Sequence, residues 1–466
     1  MNSKKKNGQV YTPKCFIPHL LDMCGYYGRG ILNKHFIDNS CGDGRILVCA
    51  IQRYIAEYKT VNPNTSSEDI RNQIKTYFHG IEYDALSALN AQRTIDARIG
   101  YAVGKDIILC ADTLSTDLYD GKMDYVIGNP PYIRDVNNVQ TTYKEYDFCK
   151  DGNTDLYLAF FEKGLKMLKP KTGLLGYLVP EYWRVNGSAK AFRDHIREND
   201  LLGAYYAING DIPLFPDASV SVCVTVLKPY DYIGNSNMIF VGDFDTVYHM
   251  GRSVRSDLGL RHRHSDKVWI DGKLYPFADS DLKDILSSTS HKVKVKYGFC
   301  TNNDRFFIQD DIPEKYRLKT IHANTGREEY MFFPYKDGEL IQDADDDIVE
   351  YCNRHFSDNW SVYGYSYGRS QGIKDVSKNK VAVSYMMPED GCPIVTDAPA
   401  GVGVNAGMYV MGMNVDDVKK HLDTDEFRNY IKSVGSERGS KWYSYTAKDV
   451  ERFLNWSLEK ETINTK

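Results

Sequence analysis

The residues with the clearest chemical content are Asn129-Pro130-Pro131-Tyr132, which follow the apolar run Asp124-Tyr-Val-Ile127 with only Gly128 between. Two prolines in a row fix the backbone and remove two N–H donors. The Pro130 carbonyl and the Asn129 side chain can then be held as rigid acceptors pointing one way. The natural client of such a pair is an NH2 group. The exocyclic amine of adenine is a poor nucleophile because its lone pair is delocalised into the ring. Two acceptors holding its hydrogens favour a pyramidal nitrogen, the shape of the transition state for attack. Tyr132 can stack on the base, and its π-face can stabilise positive charge growing on the nitrogen. The competing reading is a polar turn. With proline at about 5% of residues, a four-residue match arises by chance only about once in a thousand chains of this length, which favours chemistry.

Three further signals precede it. In Phe36-Ile-Asp38-Asn39-Ser40-Cys-Gly42-Asp-Gly44-Arg-Ile-Leu47 a strand passes through two glycines into a helix. Such a loop lets backbone N–H groups approach a polar or anionic ligand, although alone it reads equally well as a tight turn. Glu82 ends the next strand, where a carboxylate can accept from both hydroxyls of a ribose, or simply face solvent. Asp112 ends another, and can accept from an adenine amine or cap a helix. The order decides: all four signals fall at the carboxyl ends of successive strands, where open α/β sheets bind ligands.

These residues must be positioned by a sheet. Short β-rich runs at 35–38, 77–82, 107–110, 123–127, 173–179 and 220–227 alternate with helical stretches, which predicts βαβ units and a mostly parallel sheet covered on both faces. The segment 59–73 is expected to be a surface insertion. After Pro229 the alternation fades, and the polar stretch Asp231-Tyr-Ile-Gly-Asn-Ser-Asn237 marks a boundary. Two domains are expected, 1–230 and 231–466, since 466 residues exceed what one core usually organises. The second is expected to be mixed α+β, with a strand at 292–296 and helical patches at 281–286 and 416–433.

Composition excludes other classes. With 42% hydrophobic and 26% charged residues this is an ordinary globular chain. Its apolar runs are too short to span a bilayer, so a cytoplasmic protein is expected. The ten cysteines form no CxxC pair and give a zinc site little support. A net charge of -5 leaves room for a locally basic groove. Lys292, Lys294 and Lys296 alternate with valines, and Arg252, Arg255, Arg261 and Arg263 form a second cluster. Each is as consistent with solvated surface as with phosphate contact. Aromatics beside Lys441 and Trp442 tilt the balance toward nucleic acid.

Taken together, the motifs resemble those of the gamma-class, TaqI-like N6-adenine DNA methyltransferases of restriction-modification systems, over nearly the whole chain. The resemblance implies a Rossmann-like S-adenosylmethionine-dependent catalytic domain followed by a target-recognition domain. Tyr11, Thr12 and Pro13 match the N-terminal cofactor motif. Asp38, Ser40, Gly42 and Gly44 match the next, with Asn39 where the family usually has proline. By the same matching Glu82 holds the cofactor's ribose, Asp112 its adenine, and Asn129 borders the cofactor pocket. Phe215 corresponds to the aromatic residue that packs against a flipped target base, although its surroundings also suit plain core packing. Arg369 and the Lys441–Thr446 segment resemble parts of the specificity domains. The implied reaction is methyl transfer to a flipped adenine in double-stranded DNA, by a monomer and without a metal. Any cognate restriction endonuclease would be a separate chain. Rival readings are a DNA-specificity or methylation subunit of a larger defence complex, and a methyltransferase acting on RNA or on a protein glutamine.

Overall fold

The structure is a computed structural model and describes residues 11–133, 142–150, 155–209, 214–215, 221–228, 238–245, 263–266, 269–276, 280–355, 362–438 and 442–464. The chain divides into two compact units, Met1–Phe277 and Ala278–Lys466.

In the first unit nine strands form one sheet: β1 (Phe36–Asp38), β2 (Phe78–Glu82), β3 (Ile108–Cys110), β4 (Tyr125–Gly128), β5 (Leu174–Pro180), β6 (Leu202–Asn209), β7 (Val222–Leu227), β8 (Met238–Asp245) and β9 (Arg263–Asp266). Their order is 3-2-1-4-5-7-6-8-9. Strands β1 to β5 are parallel, and β7 runs antiparallel between β5 and β6. The α/β architecture matches the expectation. The unit extends past the boundary placed near residue 230, because β8 pairs in parallel with β6 and β9 pairs with β8, which carries the sheet onward.

Each face of the sheet has its own core. One gathers Leu20, Leu47, Ile51, Ile74, Ala91 and Phe36 under helices Ile17–Met23, Arg45–Val61, Ser67–Tyr77 and Ala85–Ile99. The other gathers Ile37, Tyr157, Phe161, Met167 and Phe192 under helices Leu156–Met167 and Lys190–Glu198. Phe36 and Ile37 thus point to opposite cores, as alternation along a strand requires. The order reverses at β1, which has β2 on one side and β4 on the other. That switch point opens a crevice beyond the carboxyl ends of β1 and β4.

The segment 59–73 lies mostly at the surface and is largely helical. The helix from Arg45 continues to Val61, and Ser67–Tyr77 is a helix of its own. Ser66 and Asp69 form a reciprocal capping box, while Ile70 and Ile74, four residues apart, bury one face.

The second unit is mixed α+β. One antiparallel sheet pairs Lys294–Tyr297 with Met408–Met411, then Lys380–Val383, then Val395–Ala398. Its edge strand is covered by the helix Ala447–Asn464. The Asn455 amide accepts from Val293 N–H at 2.9 Å and donates to the Val293 carbonyl at 3.1 Å, and Glu451 accepts from Val295 N–H at 2.7 Å. No helix among the described residues is long and apolar enough to cross a membrane.

Candidate active site at the switch point

Beyond the ends of β1 and β4, the glycine loop and the Asn-Pro-Pro-Tyr segment meet. Asp38 is buried, and its Oδ1 accepts from the Ser40 N–H at 3.2 Å. A Cβ on Gly128 would lie 2.8 Å from that same Asp38 oxygen. Only glycine allows β4 to end this close to the loop. Burial pushes the Asp38 carboxyl up to about 7, against the Ser40 bond that lowers it and helped by the nearby Glu82. A cationic group placed beside it would relieve that cost. The Ser40 hydroxyl is buried beside Gly128 with no hydrogen-bond partner among the described residues. A buried orphan of this kind marks a place where a ligand's polar atom fits.

Glu82 closes the loop from the neighbouring strand. Its Oε2 accepts from Gly42 N–H at 2.9 Å and its Oε1 from Asp84 N–H at 3.0 Å. The carboxylate is 6% exposed, and burial raises its pKa despite these bonds. Its bond to Gly42 ties the second strand's acid to the first strand's loop. Gly42 has a positive φ, and a Cβ there would come within 2.9 Å of the Tyr11 ring. Tyr11 therefore lies directly on the glycine loop.

Arg45, which the sequence reading missed, fixes this arrangement. Its guanidinium lies 5.0 Å from the Tyr11 ring centre and donates to the Thr12 carbonyl at 3.0 Å. Thr12 is buried and Pro13 begins the chain's turn into the first helix, its carbonyl accepting from Phe16 N–H. Asn39 also has a role the sequence did not reveal. It is fully buried, and its Oδ1 accepts from the Tyr177 hydroxyl at 2.9 Å. This bond ties the loop to β5. Gly44 opens the following helix in the left-handed conformation.

Asp112 realises the capping alternative. It accepts from Leu114 N–H at 3.0 Å and from the Ser115 hydroxyl at 2.9 Å. A partly exposed oxygen pair in this state keeps lone pairs for a further donor.

Asn129, Pro130, Pro131 and Tyr132 leave the end of β4. The Tyr132 hydroxyl lies 2.5 Å from Asn129 Oδ1 and 2.9 Å from the Leu178 carbonyl of β5. Burial, with lesser contributions from Cys223 and Tyr182, holds this phenol well above its ordinary range, so it stays a neutral donor. Phe215 is 5% exposed, belongs to the core and meets the Tyr132 ring edge-on at 6.3 Å. Phe215 is thus part of the core, beside the Tyr132 ring.

The basic residues are not all brought to one surface. Lys292 donates to the Leu458 carbonyl and to Thr462 of the last helix, and Lys296 pairs with Asp375 at 2.6 Å. Lys294 and Arg369 are exposed, as is Trp442 at 42%. Lys292 and Lys296 therefore have partners within the unit, Lys292 at an exposed position and Lys296 half-buried, while Lys294 is exposed. Arg252, Arg255, Arg261 and Lys441 lie outside the described residues. Arg263 lies in β9.

Residues 35–215 match the Eco57I restriction-modification methylase family. The Type II methyltransferase M.BstVI of Geobacillus stearothermophilus is 23% identical over 66% of this chain and 61% of its own length. M.PaeR7I of Pseudomonas aeruginosa, also a Type II methyltransferase, is 25% identical over 46% of this chain and 40% of its own. The chain thus spans less than two thirds of the length of the curated relatives it matches. Among solved structures, the Type IIL restriction-modification enzyme MmeI in complex with DNA superposes with a TM-score of 0.60, at 13% identity, over 93% of this chain and 63% of that one. The Type ISP restriction-modification enzyme LlaGI gives 0.59, at 12% identity, over 90% and 51%. The family model and the curated relatives carry the restriction-modification methyltransferase part of the resemblance read from the motifs, and the solved structures share the fold.

Proposed function

We propose that this chain, similar over its catalytic segment to restriction-modification methyltransferases, transfers a methyl group from S-adenosylmethionine to N6 of an adenine flipped out of duplex DNA. The carrying observation is the convergence at the switch point: Gly128 packs against Asp38 and Ser40, so the segment that can hold an amine begins where the glycine loop ends. The residues present fit the cofactor. The orphan Ser40 hydroxyl and the buried carboxyl of Asp38 suit its cationic and polar end, and Glu82 suits a ribose. When bound, S-adenosylmethionine supplies a methyl group already activated on a sulfonium.

The chain's own residues do the rest. Asn129 Oδ1 and the Pro130 carbonyl accept from the target amine, hold it in line and favour its pyramidal form. Tyr132 stacks on the base, with Phe215 edge-on behind it. The methyl group would pass to the amine nitrogen that Asn129 and the Pro130 carbonyl hold, the bonding pair staying with sulfur. The amine's extra proton leaves afterwards, when the nitrogen has become strongly acidic, so no separate general base is assigned. The second unit reads a short sequence, with Lys294, Arg369 and Trp442 as its exposed candidates. Flipping costs a few kcal/mol, offset by contacts to the protein.

The test is incubation of the purified chain with methyl-labelled S-adenosylmethionine and mixed-sequence duplex DNA, followed by digestion to nucleosides. Label in 6-methyldeoxyadenosine is expected. Label confined to a cytosine, or transferred only to RNA or to a protein glutamine, would overturn the assignment.

A further inference from the structure

Arg45 stands where local rules disfavour it. It is the first residue of the helix Arg45–Val61, directly after Gly44 in the left-handed conformation. The amino end of a helix carries partial positive charge and favours acids, so a cation there is unfavourable. Asp43 offsets this from two residues away: its carboxylate accepts from Arg45 Nε at 2.8 Å and also from Nη2. The remaining edge of the guanidinium reaches back 33 residues, where Nη1 donates to the Thr12 carbonyl at 3.0 Å. Its face lies over the Tyr11 ring, 5.0 Å from the centre. One planar group thus serves a carboxylate, a backbone carbonyl and an aromatic face at once, which only the rigid fork of arginine can do.

The ring held in this way rests on the glycine loop. A Cβ on Gly42 would meet Tyr11 Cε1 at 2.9 Å and Cδ1 at 3.3 Å. The N–H of the same Gly42 donates to Glu82 Oε2 at 2.9 Å. Contacts therefore run without a break from Arg45 through Tyr11 to Gly42 and Glu82. The guanidinium adds what ring contact with a glycine does not. Its cation–π attraction fixes where the ring lies, and its bond to Thr12 fixes the backbone beside it.

We infer that Arg45 is a positioning residue that retains the cofactor: it clasps Tyr11 and Thr12 onto the glycine loop and, through them, slows the release of S-adenosylmethionine. This rests on the methyltransferase reading above and deepens it. Asp43 orients the clasp, and Tyr11 is the part of it that meets the loop.

The test follows the release of methyl-labelled S-adenosylmethionine from the purified chain after a chase with excess unlabelled cofactor. Arg45→Ala is expected to speed release about tenfold or more, with association no slower than in the wild type. Arg45→Lys keeps the charge, but one ammonium cannot serve carboxylate, carbonyl and ring together, so release is expected to stay at least about threefold faster than wild type. Lysine suits a helix about as well as arginine, so this variant keeps the test decisive if Arg45→Ala does not fold. Arg45→Ala is then measured on a Tyr11→Leu background. With no ring to clasp, loss of the guanidinium is expected to speed release less than about threefold there. An equal acceleration on both backgrounds would show that Arg45 does not act through Tyr11, and would overturn the clasp. So would Arg45→Lys releasing at the wild-type rate, since charge alone would then suffice. If the wild type binds no S-adenosylmethionine, the methyltransferase reading fails and the clasp falls with it. A wild type that binds, with every Arg45 variant releasing within twofold of it, sinks the clasp alone.

Discussion

The two units of this chain differ in how their key residues are held. In the first, the chemistry-bearing groups sit at the ends of adjacent strands, and backbone pairing itself brings them together. Asp38, Glu82 and Gly128 are each the last residue of a parallel strand. In the second, charged side chains are spent on internal ties. Asp375 takes Lys296, Lys378 and the Tyr409 hydroxyl, which hold its carboxyl below the usual range although burial works the other way. Lys380 is buried with its ammonium donating to the carbonyls of Asp375, Lys378 and Val402, and burial lowers it to about 8. A catalytic site can be built from strand ends, while a recognition surface is whatever such a network leaves exposed.

That contrast can be broken by substitution. The largest effect is expected at Gly128→Ala, whose Cβ would sit 2.8 Å from an Asp38 oxygen. Calorimetry should show S-adenosylmethionine affinity reduced at least tenfold, about 1.4 kcal/mol. Gly30→Ala, which meets nothing within 4 Å, should bind as wild type. An unaffected Gly128→Ala would mean that the close approach of β4 to the loop does not shape the pocket.

The next effect is read in stability rather than in cofactor binding, at Asn455→Ala. It strands the Val293 N–H and carbonyl on a buried edge, at about 1–3 kcal/mol for each unpaired group. The midpoint of urea unfolding should fall, with cofactor binding by the first unit unchanged. A shift in cofactor affinity instead would deny the two units their separate roles.

The smallest effect separates neighbouring lysines. Lys294→Ala should weaken DNA binding uniformly across sequences and lower the salt slope by about one. Lys296→Ala, which removes a partner of Asp375 rather than an exposed charge, should lower stability and leave the salt slope alone. Identical behaviour of the two would show that the ion pair with Asp375 does not withhold Lys296 from DNA.

Much of the first unit was legible because its signals are local. Six strands were read within about two residues of their observed ends, and the motif residues are contiguous in the chain. β6 was not, since a central strand covered on both faces reads as an unbroken apolar run, Leu202-Gly-Ala-Tyr-Tyr-Ala-Ile208, without alternation. The ties that orient the site were also invisible, because they join distant positions. Arg45 reaches Thr12 across 33 residues, Tyr132 reaches Leu178 across 46, and Tyr177 reaches Asn39 across 138. In the second unit the alternation of Lys292, Lys294 and Lys296 placed a strand at 292–296, and the observed strand is Lys294–Tyr297. Which of those lysines is spent on Asp375 or on the last helix depends on partners far along the chain.

The most direct test of the central claim is single-molecule sequencing of DNA from cells expressing this chain alone, beside an Asn129→Ala control, scoring N6-methyladenine by sequence context. One short motif methylated in the presence of the intact protein and unmodified with Asn129→Ala is the predicted result. Unmodified adenine throughout, from a folded protein that binds S-adenosylmethionine, would contradict it.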